Sequence, residues 1–155
     1  MKKILIAVDD TKGSKNTFQM CGNMCSCMRP ESIVLIYVEK FEGRSLIDTM
    51  LGEAEMSTLR DVLEGTEFKK ALDKKADNIL SHYKKTLEDE GISGIKTVIK
   101  TGNPADEILK AAKEENADMI IVGSRGSRVS HVFTGSVSRE VVNRADIPVL
   151  VVKGK

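Results

Sequence analysis

The amino-acid sequence predicts one α/β domain: a single Rossmann-like open parallel sheet with helices on both faces. Three observations carry this expectation. Short aliphatic runs alternate with longer segments of helical period along the chain. Most of those runs are unbroken Ile, Val and Leu, as expected for strands covered on both faces. The length of 155 residues suits one core, which buries about 70% of the surface of the unfolded chain.

Five strands are expected, at residues 3–8, 32–38, 95–99, 119–122 and 148–152, with four helices between them. Residues 14–28 carry Phe18, Cys21, Cys25 and Met28 on one side. Met20, Met24 and Cys27 widen that apolar face, and the helix stops before Pro30, which cannot continue it. Residues 68–87 form the clearest stripe, through Phe68, Leu72, Ala76, Ile79, Leu80, Tyr83 and Leu87, with Gly91 as a stop signal. The charged residues Lys69, Lys70, Asp73, Lys74, Lys75, Lys84, Lys85, Glu88, Asp89 and Glu90 read as its solvated face. Asn103 before Pro104 opens the third helix, a capping side chain followed by a proline at the first helical position. The fourth, residues 136–145, carries Val137, Val141 and Val142. Such an alternation implies right-handed crossovers and a parallel sheet. Residues 41–67 exceed what a crossover needs and read either as a flap or contact surface or as simple packing.

Composition excludes several function classes. Lys plus Arg number 24 against 23 Asp plus Glu, so nothing attracts nucleic acid in general and any basic site must be local. No apolar stretch approaches the roughly 20 residues of a membrane span. The run Ile4 to Val8 is too brief for a signal peptide, and Asp9 and Asp10 follow where a cleavage site would stand. Three cysteines, an odd number, point to reduced thiols and a cytoplasmic location. A metal site is one reading of Cys21, Cys25 and Cys27. Cys27 turns away from the face the other two share, so small buried hydrophobes fit better. Met20, Met24 and Met28 read as core in the same way.

The informative stretch leaves the fourth strand and enters the last helix. It runs Gly123-Ser124-Arg125-Gly126-Ser127-Arg128, continues to Thr134, and closes with Gly135-Ser136-Val137-Ser138. Open parallel sheets place ligands at this edge. Gly123 and Gly126 would let the backbone turn tightly and approach a ligand closely. The first N–H groups of the last helix have the positive end of its dipole behind them, an arrangement that suits an anion. The hydroxyls of Ser127, Ser136 and Ser138 would add donors, and Arg125 and Arg128 fixed charge. The alternative is a flexible connection with ordinary capping. A second cluster, Asp9-Asp10-Thr11-Lys12-Gly13-Ser14, ends the first strand. With the first and fourth strands adjacent, Asp9 could accept from a ribose hydroxyl or a base amino group. Asp10 or Ser14 would cap the first helix.

Rival constellations are missing. There is no Gly-x-x-x-x-Gly-Lys-Ser/Thr and no Gly-x-Gly-x-x-Gly. A receiver domain would share the run Ile4 to Asp10 but needs an acceptor aspartate after the third strand, where Lys100, Thr101 and Gly102 stand. His82 reads as a surface residue and His131 as a solvated loop residue.

Together these residues resemble the universal stress protein family over nearly the whole chain. The matching blocks are Lys3-Ile4-Leu5-Ile6-Ala7-Val8-Asp9 and Thr101-Gly102-Asn103-Pro104-Ala105-Asp106-Glu107-Ile108-Leu109. Ala117-Asp118-Met119-Ile120-Ile121-Val122-Gly123-Ser124-Arg125-Gly126 follows, then Gly135-Ser136-Val137-Ser138 and Ile147-Pro148-Val149-Leu150-Val151-Val152. The resemblance implies five parallel strands in order 3-2-1-4-5 and a stress-linked binding role. In the ATP-binding branch, Gly123, Ser124, Arg125, Gly126, Ser127 and Arg128 would line phosphate and ribose. Gly135, Ser136, Val137 and Ser138 would complete the cradle, and Asp9 with the backbone of Ala7 and Val38 would border the nucleoside. That branch usually has nine residues between the second glycine and the Gly-Ser pair; here 127–134 supply eight.

These readings converge on a regulatory protein that binds ATP, or AMP or ADP, with or without Mg2+. The alternatives are a dimeric interaction module of the same family that binds no nucleotide, and a slow ATP hydrolase, for which no general base is evident. A protein partner is expected, its identity open; nucleic acid and membrane are not expected partners. In the inferred order Pro148, Val149, Leu150, Val151 and Val152 form an apolar edge strand, which predicts a homodimer.

Overall fold

The alternation of runs and stripes folds as nine elements in the computed structural model, which describes residues 2–10, 12–39, 58, 67–124 and 135–153. They are β1 (Lys3–Ala7), α1 (Lys12–Met28), β2 (Ser32–Glu39), α2 (Glu67–Asp89), β3 (Ile95–Thr101), α3 (Pro104–Glu114), β4 (Met119–Ser124), α4 (Ser136–Arg144) and β5 (Val149–Lys153). Each expected strand and helix is present, with its ends moved by one or two residues. The strands form one parallel sheet in order β3-β2-β1-β4-β5, so β1 lies between β2 and β4, with Ile6 opposite both Leu35 and Ile121. Residues 41–57 and 59–66 of the proposed flap lie outside the described residues.

Both faces of the sheet are buried, which is why the strands read as continuous aliphatic runs. Ile4, Ile6, Ile33, Leu35 and Ile121 point to one side and meet Phe18, Cys21 and Cys25 of α1 and Ala76, Leu80, Tyr83 and Leu87 of α2. Leu5, Val34, Ile36, Ile120 and Val122 point to the other and meet Ile108, Ala111 and Ala112 of α3 and Val141 of α4. Strand residues alternate between these layers with period two. Past the end of α2, Gly91 takes φ +81°, a left-handed conformation that glycine adopts at no steric cost. No helix of the described residues is long and apolar enough to cross a membrane.

The structure corrects four expectations about α1 and α2. Met20 is 55% exposed, and Cys27 is exposed while Cys21 and Cys25 are buried. The apolar face of α1 is therefore wider than the core it covers. Burial pushes the Cys21 thiol up to about 12 and the Cys25 thiol to about 11, which keeps both protonated and inert. Among the described residues, no group of His, Cys, Asp or Glu could hold a metal ion. α1 starts at Lys12, so Ser14 lies inside the helix and is no cap. Its hydroxyl instead accepts a hydrogen bond from the Asp9 N–H (3.2 Å).

The fourth correction concerns Lys69, read as solvated. It lies on the first turn of α2 and donates to Glu39 Oε2 (2.6 Å) and Asp73 Oδ1 (2.9 Å). Thr101 also donates to Glu39 Oε2 (3.1 Å). Glu39 is 1% exposed, and burial raises its pKa against the pull of Lys69. Burial works against the charge of Lys69, but its hydrogen bonds to the two carboxylates leave its pKa above the ordinary value. This pair ties the end of β2 to the start of α2. His82 is exposed, as expected, and His131 lies outside the described residues.

Candidate functional site: a cleft at the carboxyl end of the sheet

The chain leaves β1 for α1 on one face of the sheet and leaves β4 for α4 on the other. Adjacent parallel strands whose connections part in this way open a crevice between them. Ala7 and Val8 of the first strand end, Ile36 and Val38 of β2, and Val122 of β4 form its floor. Pro104 and Ile108 of α3 supply one wall, and Gly135, Ser136, Val137 and Ser138 at the start of α4 supply another. Asp9, Ser14, Gly123 and Ser124 complete the lining.

Ala7, Asp9, Val38, Gly123, Ser124, Gly135, Ser136, Val137 and Ser138, the site residues expected from the sequence, thus line one cleft. Arg125, Gly126, Ser127 and Arg128 lie outside the described residues. Ile36, Ile108, Val122 and Pro104 also line the cleft, yet in sequence they look like ordinary core and helix-start positions. Ser14 was legible as a polar residue near the strand end, in a different role.

The start of α4 gives the cleft its electrostatic character. Its cap, Gly135, has φ −63° and ψ 159° and makes no side-chain capping bond, and the first turn contains no acid. The first hydrogen bond of the helix runs from Arg139 N to Gly135 O (3.0 Å). The N–H groups of Ser136, Val137 and Ser138 precede it and have no intrahelical partner. The Ser138 hydroxyl, expected as a ligand donor, donates to Gly135 O (3.0 Å). It is buried and braces the cap, so the amides and the Ser136 hydroxyl are what this helix start offers a ligand.

The role expected for Gly123 is corrected as well. It lies within β4, opposite Val152, and makes no turn. A β-carbon there would meet the Thr17 side chain of α1 at 3.4 Å, an ordinary contact on the side away from α3 and α4. Asp9 is held by its backbone: its N–H reaches Ser14, and its carbonyl accepts from the Tyr83 hydroxyl (3.2 Å). Its neighbour Asp10 pairs with Lys75 of α2 (2.7 Å). Asp9 is the carboxylate of the lining among the described residues.

The family model of the universal stress protein family matches residues 1–153. The chain belongs to that family. Among its relatives, universal stress protein MJ0577 of Methanocaldococcus jannaschii is 34% identical over 132 residues, 83% of this chain and 80% of that protein. The solved structure of MJ0577 superimposes with a TM-score of 0.73 at 30% identity, covering 99% of this chain and 96% of that one. The universal stress protein from Archaeoglobus fulgidus in complex with dAMP is 19% identical. It has a TM-score of 0.60 and covers 97% of each chain, a likeness in fold. Universal stress proteins thus share the sheet order and the helices on both faces described above.

Proposed function

We propose that this protein is an adenine-nucleotide-binding regulator of the stress response, acting in the cytoplasm as a homodimer, with ATP its principal ligand and AMP or ADP alternatives. One observation carries the reading: an uncapped helix start, free of acids in its first turn, opens into a cleft with apolar walls. The amides of Ser136, Val137 and Ser138 suit phosphate. Ile36, Val38, Ile108 and Val122 suit the face of a base, with Asp9 placed to accept from a ribose hydroxyl or an amino group. Arg125, Gly126, Ser127 and Arg128 would add charge and close backbone approach on the phosphate side. The adenine assignment is supported by relatives of the same fold solved with cAMP and with dAMP. Mg2+ would ride on the phosphates, since the described residues offer it no cage.

Isothermal titration with ATP tests the reading, and absence of binding would leave the family's other mode, a dimeric module without nucleotide. Binding by backbone amides does not accelerate hydrolysis unless a base also activates water. Steady phosphate release is therefore expected below about 1 per second, the low end of ordinary turnover. Faster release would establish an ATPase.

The homodimer rests on the outer edge of β5. Ile120 N donates to Pro148 O (3.0 Å), and the alternation of a parallel ladder then turns the N–H and C=O groups of Val149 and Val151 outward. Such an edge pairs readily with another chain. The side chains are already engaged: Leu150 and Val152 pack in the α1–α2 layer, Val149 and Val151 in the α3–α4 layer. Charge substitutions there would test folding as much as pairing. Val151→Pro removes one outward N–H and no bond to β4, so it should convert a dimer to monomer in sedimentation equilibrium. A monomeric wild type would refute the dimer.

A further inference from the structure

The flank of α1 that covers no core points past β5. Phe18 and Gly22 mark the opposite flank: the Phe18 and Tyr83 rings lie 4.4 Å apart, and the Glu90 carboxylate, just beyond α2, sits against Gly22. Met20, Met24 and Cys27 recur at i, i+4 and i+7 on the side turned away from α2. Met20 is 55% exposed and Cys27 is exposed too. α4 repeats the pattern in the other layer. Its Arg144 reaches Asp106 of α3 (2.7 Å), while Val142, on the other flank, is 46% exposed. Met20 and Val142 are the large hydrophobic side chains exposed among the described residues, and they flank the same edge strand from its two faces.

Geometry says what would cover them. α1 packs on both β4 and β5, so its axis lies about half a strand spacing inside β5. If β5 pairs with its own copy at a strand spacing of about 4.8 Å, the two α1 axes come to about 10 Å. That is close to the 8–10 Å at which helices pack. The height matches as well. Thr17 lies against Gly123, which is level with Val152. With rises of about 1.5 Å per residue in the helix and 3.3 Å in the strand, the middle of β5 falls beneath about residues 19–21 of α1.

We propose that α1 is a packing surface for a second copy of this chain, Met20 and Met24 meeting their counterparts across a two-fold axis at β5. Val142 closes the same interface on the opposite layer. This rests on the edge-strand dimer proposed above and adds two helical layers to it, so that partner choice is set by apolar side chains as well as by backbone pairing.

Thiol crosslinking tests it. Cys21 and Cys25 are buried, so in a Cys27→Ser background an introduced cysteine is the exposed thiol among the described residues. Met20→Cys, Met24→Cys and Ser26→Cys are compared with a short bis-maleimide, and each variant is run in sedimentation equilibrium. Ser26 is exposed and close in height to Met24, but it stands at i+4 from Gly22, on the flank turned toward α2. A dimer that crosslinks through position 20 or 24, with loss of the product at 26, is the expected result. A dimer that crosslinks at none of the three, or equally at all, overturns the helix contact and leaves the edge pairing standing. A monomer overturns both.

Discussion

Two neighbouring helices begin at the cleft, and they begin in opposite ways. α3 is closed on itself: the Asn103 side chain accepts from the N–H groups of Ala105 (3.0 Å) and Asp106 (3.2 Å). Pro104 has no N–H to satisfy, and Asp106 and Glu107 neutralise the dipole. α4 has a glycine for a cap, no capping side chain and no acid in its first turn. The first arrangement stabilises a helix; the second leaves its donors to a ligand. Both contribute to the same lining, so on the proposed reading an anion would sit at α4, with α3 as an apolar wall through Pro104 and Ile108.

The contrast can be broken most strongly by giving α4 the kind of start α3 has. Gly135 has ordinary backbone angles, so Gly135→Asp introduces a capping carboxylate without strain. It should weaken ATP binding by about thirtyfold, or about 2 kcal/mol, while thermal stability holds or rises slightly. An unchanged affinity in isothermal titration would remove α4 from the site. A smaller effect is expected at Gly126, where the sequence calls for close backbone approach. Gly126→Val should cost at least about tenfold in affinity, or about 1.4 kcal/mol, and equal binding by both proteins would refute that approach.

The smallest effect on binding, and the one that sharpens the comparison, belongs to α3. Asn103→Ala removes a cap worth about 1 kcal/mol and should lower the melting temperature while leaving ATP affinity within about twofold, since that side chain serves the helix alone. A large loss of affinity would mean that α3 also meets the ligand through its cap.

Much of this contrast is legible in the sequence. Asn103 and Pro104 announce a closed helix start and Gly135-Ser136 an open one, because capping is decided by residues adjacent in the chain. The lining residue Asp9 follows from where the first strand ends, whereas Ala7 and Val38 came with the family resemblance. What escaped the sequence is the use to which each polar atom is put. Ser138 and Ser136 are two hydroxyls in one turn, yet Ser138 braces Gly135 while Ser136 remains exposed. Ser14 resembles a cap but serves Asp9, because α1 begins at Lys12.

The sequence by itself determined the alternating elements, the two-sided burial of the sheet and the chemistry of its carboxyl edge. Each is a local pattern of periodicity or spacing, and the sheet order came with the family resemblance. Tertiary structure alone decided the partners of groups distant along the chain. Lys69 looks like one of many surface lysines until the fold brings it 2.6 Å from buried Glu39, 30 residues earlier. Met20 looks like core until α1 settles over β4 and β5 and turns it outward. A helix period states which side chains share a face; which face meets a neighbour depends on how the layers pack, and no single segment encodes that.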